Sequence, residues 1–474
     1  MSVKRTRCFV TCALIVEGVF GTDNVVGGPR RGLDLRGSIM NKLVISRRQA
    51  CAGVLVAGIA ATLAACGGSK PGGAAGSGAT CWFLTGGSEK TFRDSFERWN
   101  SEHADQKITY EVFANDAYKE KIRTAVGSGN APTLLYSWAG GTLVDYVNND
   151  QVIDLTDLTV DAQKNLIPSI LDIGKVDGKI YALPNNNTQP VLIYYNKEVF
   201  EKVGAQPPKT WSELMALIPV LKDAGYIPFA EAGASLWPYL MWIQYLTDRV
   251  GGHEVFDRVL AGESGAWSDP AFIEALTKIQ DMVKAGGLGD AYGSVDADAN
   301  ADIALVHTGK AAMILQGSWV YANFLADAPE MVSSGKLGYI TFPTVEGGKG
   351  DPSNLTGNPA NFWSVTTTAS EDARKAALDY LNTEMLSEPY IAKCVEQGLI
   401  PGALDAESVI EKFEHAEYLS FGYELAKNAA HFQMSWDQAL PSAQAQELLT
   451  NLSQIFLLQI TPEEFIEKMN ATLA

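Results

Sequence analysis

The chain has 474 residues, of which 46% are hydrophobic and 19% are charged, as in an ordinary globular protein. This length exceeds what one hydrophobic core usually serves, so we expect at least two lobes. The formal net charge of −18 argues against nucleic acid and anionic membrane surfaces as partners, because both are negatively charged themselves.

The N-terminal part has the features of an export signal. A positive region around Arg47 precedes an apolar run, residues 50–63, which has the length of a signal-peptide core but is too short to span a bilayer. The tetrapeptide LAAC, which ends at Cys66, resembles the bacterial lipobox, whose cysteine is lipidated and becomes the first residue of the mature protein. We therefore predict lipidation at Cys66 and an extracytoplasmic protein held at the outer face of the cytoplasmic membrane by its lipid alone.

The segment boundaries follow from this signal. Met40 lies at a conventional distance before Cys66, so we interpret residues 1–39 as a mis-annotated upstream extension. Residues 40–65 are then the lipoprotein signal peptide, and the Gly-, Ser- and Ala-rich residues 66–79 are a flexible tether. The paired arginines of the signal match only part of the twin-arginine pattern, so both export routes stay open.

Two cysteines, Cys81 and Cys394, remain in the folded part beside the lipidated one. The others, Cys8, Cys12 and Cys51, would be lost with the signal. A disulfide between the two remaining thiols and two unpaired buried thiols both agree with the sequence, because it does not define their separation.

Strands and helices alternate from about residue 80 onward. Spacings of four and three place Phe92, Phe96 and Trp99 on one face of a helix. Alternating apolar residues predict a half-buried strand at residues 108–112, and an apolar run predicts another at residues 133–138. This alternation predicts an α/β fold with a mostly parallel sheet.

In open α/β sheets the ligand lies beyond the C-terminal ends of the strands. In this chain that rule points to the turn holding Gly87 and Ser88 and to the segment that begins at Trp138. Ser88 also suits the N-cap position of the helix that follows, so a purely structural capping role is the alternative.

The stretch 178–197 has two apolar, strand-like runs on either side of a polar centre bounded by Pro184 and Pro190. The prolines prevent a continuous strand ladder through that centre. We therefore interpret the stretch as a crossing between two lobes. Asn187 and Gln189 would then place amide donors and acceptors in a cleft, and a polar surface turn is the alternative.

This stretch also carries a family resemblance. The sequence GKIYALP from Gly178, then YNK from Tyr195 and PKTW ending at Trp211, resembles the extracellular solute-binding proteins of bacterial ABC importers, and is closest to their sugar-binding branch. Further similar stretches follow in order, residues 354–365 and 431–440 among them. The resemblance covers nearly the whole chain after the tether.

The resemblance implies an α/β fold of the periplasmic-binding-protein type (class II), with two lobes, each a mostly parallel sheet flanked by helices, joined by hinge crossings. The N-terminal lobe would comprise residues 80–187 and 345–385. The C-terminal lobe would comprise residues 188–344 and 386–474. The implied function is capture of a sugar, most simply a short oligosaccharide, in the cleft between the lobes, and its delivery to the permease subunits of an ABC transporter.

The ten tryptophans are the most informative residues for such a site. An indole ring stacks on the apolar face of a sugar, while amides and carboxylates bond its hydroxyl edge. Several tryptophans lie in segments that line the cleft by family analogy, and a place in the core is the alternative for each. The candidate ligand-binding residues are Gly87, Ser88, Trp138, Asn187, Gln189, Trp237, Trp319, Trp363, Trp436 and Asp437.

The sequence predicts no catalytic residue, no metal and no cofactor. Residues 296–300 begin like a calcium-binding loop, but Ala301 and His307 stand where the pattern needs glycine and glutamate. Phosphate-binding and dinucleotide-binding motifs are absent from the sequence. We expect a monomer that is not an enzyme.

Three alternatives remain at this point. A secreted carbohydrate-active enzyme needs only two suitably placed carboxylates and has no universal motif. A polyol-binding or a peptide-binding relative would have the same fold, although aromatic residues outnumber charged ones in the expected cleft, which disfavours peptide. A xylan- or glucan-derived disaccharide would suit the number of tryptophans.

Overall fold

The computed structural model describes residues 78–185, 187–404 and 406–473. The predicted upstream extension, the signal peptide, Cys66 and nearly all of the tether lie outside the described residues. None of the described helices is both long and apolar enough to cross a membrane.

The strands of the described residues, in chain order, are β1 (Ala79–Leu84), β2 (Ile108–Phe113), β3 (Leu134–Ser137), β4 (Lys175–Val176), β5 (Lys179–Ile180), β6 (Leu183–Pro184), β7 (Gln189–Asn196), β8 (Ile227–Ala230), β9 (Ala311–Gly317), β10 (Leu337–Ile340), β11 (Leu355–Asn358), β12 (Phe362–Val365) and β13 (Phe432–Met434).

The α-helices of the same residues are α1 (Glu89–Glu102), α2 (Asn115–Gly127), α3 (Gly140–Asn148), α4 (Val160–Gln163), α5 (Pro168–Ile173), α6 (Lys197–Val203), α7 (Trp211–Asp223), α8 (Tyr239–Gly251), α9 (Glu254–Leu260), α10 (Pro270–Lys284), α11 (Ala301–His307), α12 (Trp319–Asp327), α13 (Pro329–Ser333), α14 (Glu371–Thr383), α15 (Glu388–Glu396), α16 (Glu407–Ile410), α17 (Ala416–Asn428), α18 (Trp436–Ala439), α19 (Ser442–Phe456) and α20 (Pro462–Asn470). Short 3₁₀ helices occupy Gly233–Ser235, Ala266–Ser268, Tyr292–Ser294, Glu384–Leu386 and Ala471–Leu473.

The N-terminal lobe is built on one sheet, with strand order β2-β1-β3-β12-β6. Strand β1 runs parallel to both of its neighbours, as the strand–helix alternation predicts. Strand β12 is antiparallel to β3 and to β6. Phe96 and Trp99 from α1 are buried on this sheet beside Phe83 of β1. Their shared helix face is the one predicted from their spacing.

The C-terminal lobe has a second sheet, with strand order β13-β11-β7-β9-β8, and β10 pairs with β7. Its central strand β7 is buried on both faces. Val191 and Ile193 belong to one hydrophobic cluster, and Leu192 and Tyr194 belong to another on the opposite face. This twofold alternation shows helices packed on both sides of the sheet.

Both sheets are mixed, whereas the sequence analysis predicts mostly parallel ones. In the second sheet β7 is antiparallel to β9, β10 and β11, and only its outer pairs, β8 with β9 and β11 with β13, are parallel. The antiparallel partners β7 and β12 are the strands that begin directly after a crossing. A strand that enters a lobe from the other lobe runs opposite to the strands of local strand–helix units, so the crossings account for the mixed pattern.

The two lobes are joined at three places. The chain crosses first between β6 and β7 and again between β11 and β12, and Asn361 Nδ2 of the second crossing donates to Gln189 Oε1 at the end of the first, at 2.9 Å. A third connection runs along α15, where Cys394 packs in the N-terminal core and the next residue, Val395, packs in the C-terminal lobe.

Sheet membership moves two of the expected lobe boundaries. Strand β11 pairs with β7 and β13, so the residues before the second crossing belong to the C-terminal sheet, and not to the N-terminal lobe that we expect to begin at residue 345. Tyr390 and Cys394 lie in the N-terminal core, beyond the expected limit at residue 385. Both shifts arise because strand pairing and helix packing, which are long-range contacts, decide lobe membership.

The two described cysteines are free and buried. Of the two options that the sequence leaves open, the structure has the unpaired buried thiols. Burial raises the pKa of the Cys394 thiol to about 12 and that of Cys81 well above its usual value, so both stay protonated and unreactive.

Candidate ligand-binding site

A cavity of about 350 Å³ lies between the two lobes. Its N-terminal wall is formed by the loop after β1, the first turns of α1 and α2, and the residue that follows β3. Its C-terminal wall is formed by the loops before α8 and α11, the end of β9 with the start of α12, and helix α18. The cavity therefore lies at the carboxyl ends of the parallel strands, where the topological rule places it.

Three tryptophans line this cavity from both lobes. Trp138 lies on the N-terminal wall, and Trp237 and Trp319 lie on the C-terminal wall. The ring centroids of Trp237 and Trp319 are 5.8 Å apart with their planes at 60°. Together the rings form an apolar surface that is angled rather than flat, and each is only partly buried. Such a surface can contact more than one apolar face of a ligand.

The backbone beside these rings is held in an uncommon conformation. Ala139, directly after Trp138, has φ 59°, and Leu236, directly before Trp237, has φ 62°. Asn300, which also lines the cavity, has φ 51°. Residues with a Cβ avoid positive φ, and such outliers cluster where the surrounding structure holds a functional side chain in place. The strain supports a preorganised site.

Two glycines make room for the same rings. A Cβ at Gly317 would overlap with ring carbons of Trp319, so glycine is needed there for the indole to fold back over the end of β9. A Cβ at Gly87 would lie 3.0 Å from the carbonyl oxygen of Trp319 on the opposite lobe. Gly87 thus allows the two walls to approach each other closely.

The lobes also touch beside the cavity. A Cβ at Gly140 or Gly141, at the start of α3, would overlap with the carbonyl oxygens of Gln438 and Leu440. Lys119 Nζ lies 3.4 Å from Asp437 Oδ2 across the same gap. The described conformation is therefore one in which the lobes are closed over the cavity.

Three of the described residues that line the cavity have a buried polar atom without a protein partner. Trp237 Nε1, Asn358 Oδ1 and Asn361 Oδ1 are buried and find no hydrogen-bond partner among the described residues, and all three residues line the cavity. The set contains one donor and two acceptors. Buried polar atoms in folded proteins are nearly always bonded, so these atoms favour a ligand that both donates and accepts hydrogen bonds.

The remaining predicted polar residues have defined partners. Asp437 lines the cavity and accepts from Ser435 Oγ at 2.9 Å and from Gln438 Nε2 at 2.7 Å, in addition to its contact with Lys119. Ser88 and Gln189 line the cavity as well. Asn187 lies behind Ser88 and donates to its Oγ at 3.0 Å, so it supports the wall instead of forming it.

Trp363 and Trp436 are a correction to the predicted site. Trp363 on β12 is fully buried in the N-terminal core, with ring centroids 5.2 Å from Phe92 and 5.4 Å from Tyr136. Trp436 is 1% exposed and stacks on Phe256 in the C-terminal core, at 4.1 Å and 8°. Neither ring reaches the cavity.

The reason for the Trp436 correction is the helix on which it lies. Trp436 and Asp437 are consecutive residues of α18, and successive helical side chains point about 100° apart. When Asp437 faces the cavity, Trp436 must face the core.

Among the cavity residues that the sequence analysis missed, eight have an amide side chain. They come from several separate segments: Asn115, Gln244, Asn300, Gln316, Asn323, Asn358, Asn361 and Gln438. Two of them, Asn358 and Asn361, lie in the stretch already interpreted as a crossing, and Asn300 lies in the rejected calcium-like loop. The location of these three asparagines, in a crossing or in a loop already singled out, was the sequence feature that could have identified them. Within the described part of the chain, no cluster of three or more His, Cys, Asp or Glu side chains is placed to hold a metal ion.

Two buried carboxyls stand at and behind the C-terminal wall. Asp302 lines the cavity, accepts from Gln316 Nε2 at 3.1 Å, and burial raises its pKa to about 6. Glu231 lies further inside; burial raises its pKa to about 8, and the neighbouring Asp302 adds to the shift. The bond from Trp242 Nε1 to Glu231 Oε2, at 2.8 Å, acts in the opposite direction.

Glu231→Gln is expected to make the protein more stable at alkaline pH. In the folded protein Glu231 keeps its proton up to about pH 8, whereas in the unfolded chain the same carboxyl group loses its proton near pH 4.5. The free energy of unfolding should therefore fall as the pH rises between these values, by up to about 4 kcal/mol, and the glutamine should remove that loss. Urea unfolding at pH 5 and pH 8 measures it. Glu263→Gln, at an exposed position, is the control, and equal pH slopes for wild type and Glu231→Gln would contradict the assignment.

Residues 85–385 match the family model of the bacterial extracellular solute-binding proteins. The chain belongs to this family. Among curated relatives, an uncharacterized ABC transporter extracellular-binding protein of Pyrococcus horikoshii is 27% identical over 254 residues, which are 52% of this chain and 56% of that protein. This chain thus aligns with little more than half of that relative's length.

Two further relatives carry the name of a solute. The sn-glycerol-3-phosphate-binding periplasmic protein of Brucella melitensis is 24% identical, over 70% of this chain and 76% of that protein. A probable sugar-binding periplasmic protein of Mesorhizobium japonicum is 28% identical, over 61% of this chain and 66% of that protein.

Solved structures agree with the family. A protein solved in a study of xylan utilization by the thermophilic bacterium Caldanaerobius polysaccharolyticus superimposes with a TM-score of 0.75 at 29% identity, covering 84% of this chain and all of that one. A chitin oligosaccharide binding protein superimposes with a TM-score of 0.74 at 20% identity, covering 84% of this chain and 98% of that one. The two-lobed solute-binding fold predicted from the sequence is confirmed.

Proposed function

We propose that this protein is a lipid-anchored binding protein that captures a sugar, in the simplest case a short oligosaccharide, between its lobes and delivers it to an ABC transporter permease. It acts as a monomer outside the cytoplasm. The observation that carries the proposal is the joint presence of Trp138, Trp237 and Trp319 around one cavity whose lining also includes nine amide side chains. Indole rings suit the C–H faces of sugar rings, and amides suit their hydroxyl groups.

The arrangement also accounts for the mechanism. Trp138 belongs to one lobe, and Trp237 and Trp319 belong to the other. A ligand held by all three stabilises the closed state over an open one in which it would lose half of its contacts. Because the crossings are short and the lobes have separate cores, closure is a movement of the lobes about their crossings, without covalent chemistry.

The comparisons support a sugar as the solute. The Mesorhizobium relative is named as probable sugar-binding, and the two superimposed structures come from work on xylan utilization and on chitin oligosaccharide binding. We propose binding without catalysis, and an analysis of the ligands for cleaved products tests the alternative of a carbohydrate-active enzyme.

The first experiment is a thermal-shift and calorimetry screen of the protein from Gly67 onward. The ligands are neutral mono-, di- and trisaccharides of glucose, xylose and N-acetylglucosamine, with glycerol and a tripeptide for the other solute classes. We expect a rise in melting temperature with a sugar, since ligand that binds only the folded state stabilises it. The same samples are analysed for cleaved products. Hydrolysis of the sugar, or a response to the tripeptide alone, would overturn the proposal.

The proposed lipid anchor has its own test. Cys66→Ala should abolish incorporation of radiolabelled palmitate and move the protein from the membrane fraction into the medium or periplasm, because the apolar run before it is too short to anchor it otherwise. Cys51→Ala, a cysteine inside the predicted signal peptide, is the matched control. Unchanged palmitate labelling of Cys66→Ala would show that the lipid is attached to another residue and would contradict the proposed anchor.

A further inference from the structure

We propose that the cavity selects its solute by charge, taking uncharged glycans and rejecting solutes that carry a phosphate or a carboxylate. The inference rests on the proposed function, because it names the chemical class of the ligand for the same cavity. Four features of the wall lead to it: the balance of charged side chains, the pairing of the cation, the state of the helix N-termini and the hydrogen-bonding character of the carboxylates.

The first feature is the balance of charge. The charged residues that line the described cavity are Lys119, Asp298, Asp302 and Asp437. No arginine is among them, although arginine is the side chain best suited to hold phosphate or carboxylate in a bidentate way. Three acidic groups thus face one basic group in a largely enclosed space. Charges interact more strongly in such a space than in bulk water, so a further negative charge on the ligand is repelled.

The second feature is that the single cation is already paired. Lys119 Nζ lies 3.4 Å from Asp437 Oδ2, and the Asp437 side chain is only 6% exposed. The ammonium group also lies 5.2 Å from the ring centroid of Trp138, over its face. Asp437 therefore already balances much of the positive charge of Lys119, and less of that charge remains to attract an anionic ligand.

The third feature concerns helices α1 and α2, whose N-termini open toward the cavity. Helix N-termini attract anions through their unbonded N–H groups. Here carboxylates of the protein take that place. In α2 the N–H of Asp116, in the first turn, donates to Asp298 Oδ2 at 3.0 Å, and α1 has the carboxylate of Glu89 in its first turn, where it also accepts from the N–H of Gly86 at 3.2 Å. The positive ends of α1 and α2 are thus partly compensated by carboxylates of the protein itself.

The fourth feature is the match of donors and acceptors. Ionised Asp298 and Asp437 can only accept hydrogen bonds. A sugar hydroxyl can donate to them, whereas an ionised carboxylate on the ligand has no proton to give. A hydroxyl group of an uncharged glycan can therefore donate a hydrogen bond to these carboxylates where the carboxylate of its acidic derivative cannot. This difference adds to the repulsion between the negative charges.

The experiment compares matched pairs of ligands. Each neutral sugar that binds is paired with its aldonic acid, and each hexose also with its 6-phosphate; glycerol is paired with sn-glycerol 3-phosphate, the solute in the name of the Brucella relative. Calorimetry at 20 mM and 300 mM NaCl gives the ratio of the two dissociation constants. We expect the anionic member to bind at least 30-fold more weakly at 20 mM NaCl, and the ratio to narrow at 300 mM because salt screens repulsion.

A variant separates charge from shape. Asp298→Asn keeps an oxygen that can accept from the Asp116 N–H and removes one negative charge, so the ratio should narrow at least threefold. Asp161→Asn removes a charge at a position that is 79% exposed and lies outside the cavity, and should leave the ratio unchanged. A ratio that is equally large at both salt concentrations and in Asp298→Asn would mean exclusion by shape, and would overturn the inference.

The outcomes distinguish the inference from the proposed function. If neutral and anionic sugars bind equally, or the anionic sugar binds more tightly, the sugar-binding function stands and selection by charge is wrong. If sn-glycerol 3-phosphate binds and no sugar does, both are wrong. If none of the sugars binds and no anion does, the proposed function fails, and the inference about its ligand fails with it.

Discussion

Replacing Trp319 by alanine is expected to weaken sugar binding about 100-fold, equivalent to about 2.7 kcal/mol, while the two lobes stay folded. The indole lies at the end of β9, lines the cavity together with Trp237, and is only partly buried, so its loss removes ligand contact more than core packing. Calorimetry with the best sugar from the screen gives the dissociation constant, and circular dichroism melting gives the stability.

Gly317→Ala tests the same ring without removing it. The added methyl group would overlap with the ring of Trp319, so the indole must rotate away from its place over β9. We expect a tenfold or greater loss of affinity with all polar groups of the cavity intact. Tyr226→Ala, at a partly buried aromatic residue of the same lobe outside the cavity, is the control. If both Trp319→Ala and Gly317→Ala bind sugar with wild-type affinity, the ring of Trp319 does not contact the ligand.

Trp436→Ala is expected to lower the free energy of unfolding by about 3–5 kcal/mol, because it leaves a large cavity in the C-terminal core. The ring stacks on Phe256 and meets Trp267 and Phe272 edge-on, and it is 1% exposed. Urea unfolding measures the loss. The sequence analysis proposes this residue as a ligand contact, so the effect on stability separates the two roles.

Trp436→Phe is the variant that decides between these roles if the alanine variant does not fold. A phenylalanine keeps much of the stack on Phe256, so the protein should fold with a smaller loss of stability and bind its sugar within threefold of wild type. Trp363→Phe should behave alike in the N-terminal core. A Trp436→Phe protein of near wild-type stability that no longer binds sugar would restore the ligand role of this ring.

The local patterns of the chain predicted its elements well. The helix face of Phe92, Phe96 and Trp99 is buried on the first sheet, and the alternating residues after Ile108 form β2. Such patterns are readable because a helix or strand repeats its burial every few residues, so neighbouring residues carry the information. The prolines at residues 184 and 190 likewise bracket a real crossing, because they act on their own backbone.

The candidate site was likewise predicted only in part. The sequence placed Trp138, Trp237, Trp319 and Asp437 in segments that do line the cavity, since strand ends and crossings can be recognised from the residues around them. It did not separate these rings from Trp363 and Trp436, whose segments have the same appearance. Whether a side chain on such a segment faces the cavity or the core depends on a rotation of about 100° per helical residue and on what packs against it.

The α/β class, the two lobes, the family and the crossing after residue 184 were therefore predictable, because they follow from short-range periodicity and from motifs. The folded structure was needed to identify which tryptophans meet in the cavity, which amides join them and which carboxylate pairs with Lys119. The folded structure also showed that the strands entering from a crossing run antiparallel to their neighbours. These features depend on contacts between residues far apart in the chain, as between Lys119 and Asp437, and such contacts exist only once both lobes have folded and closed.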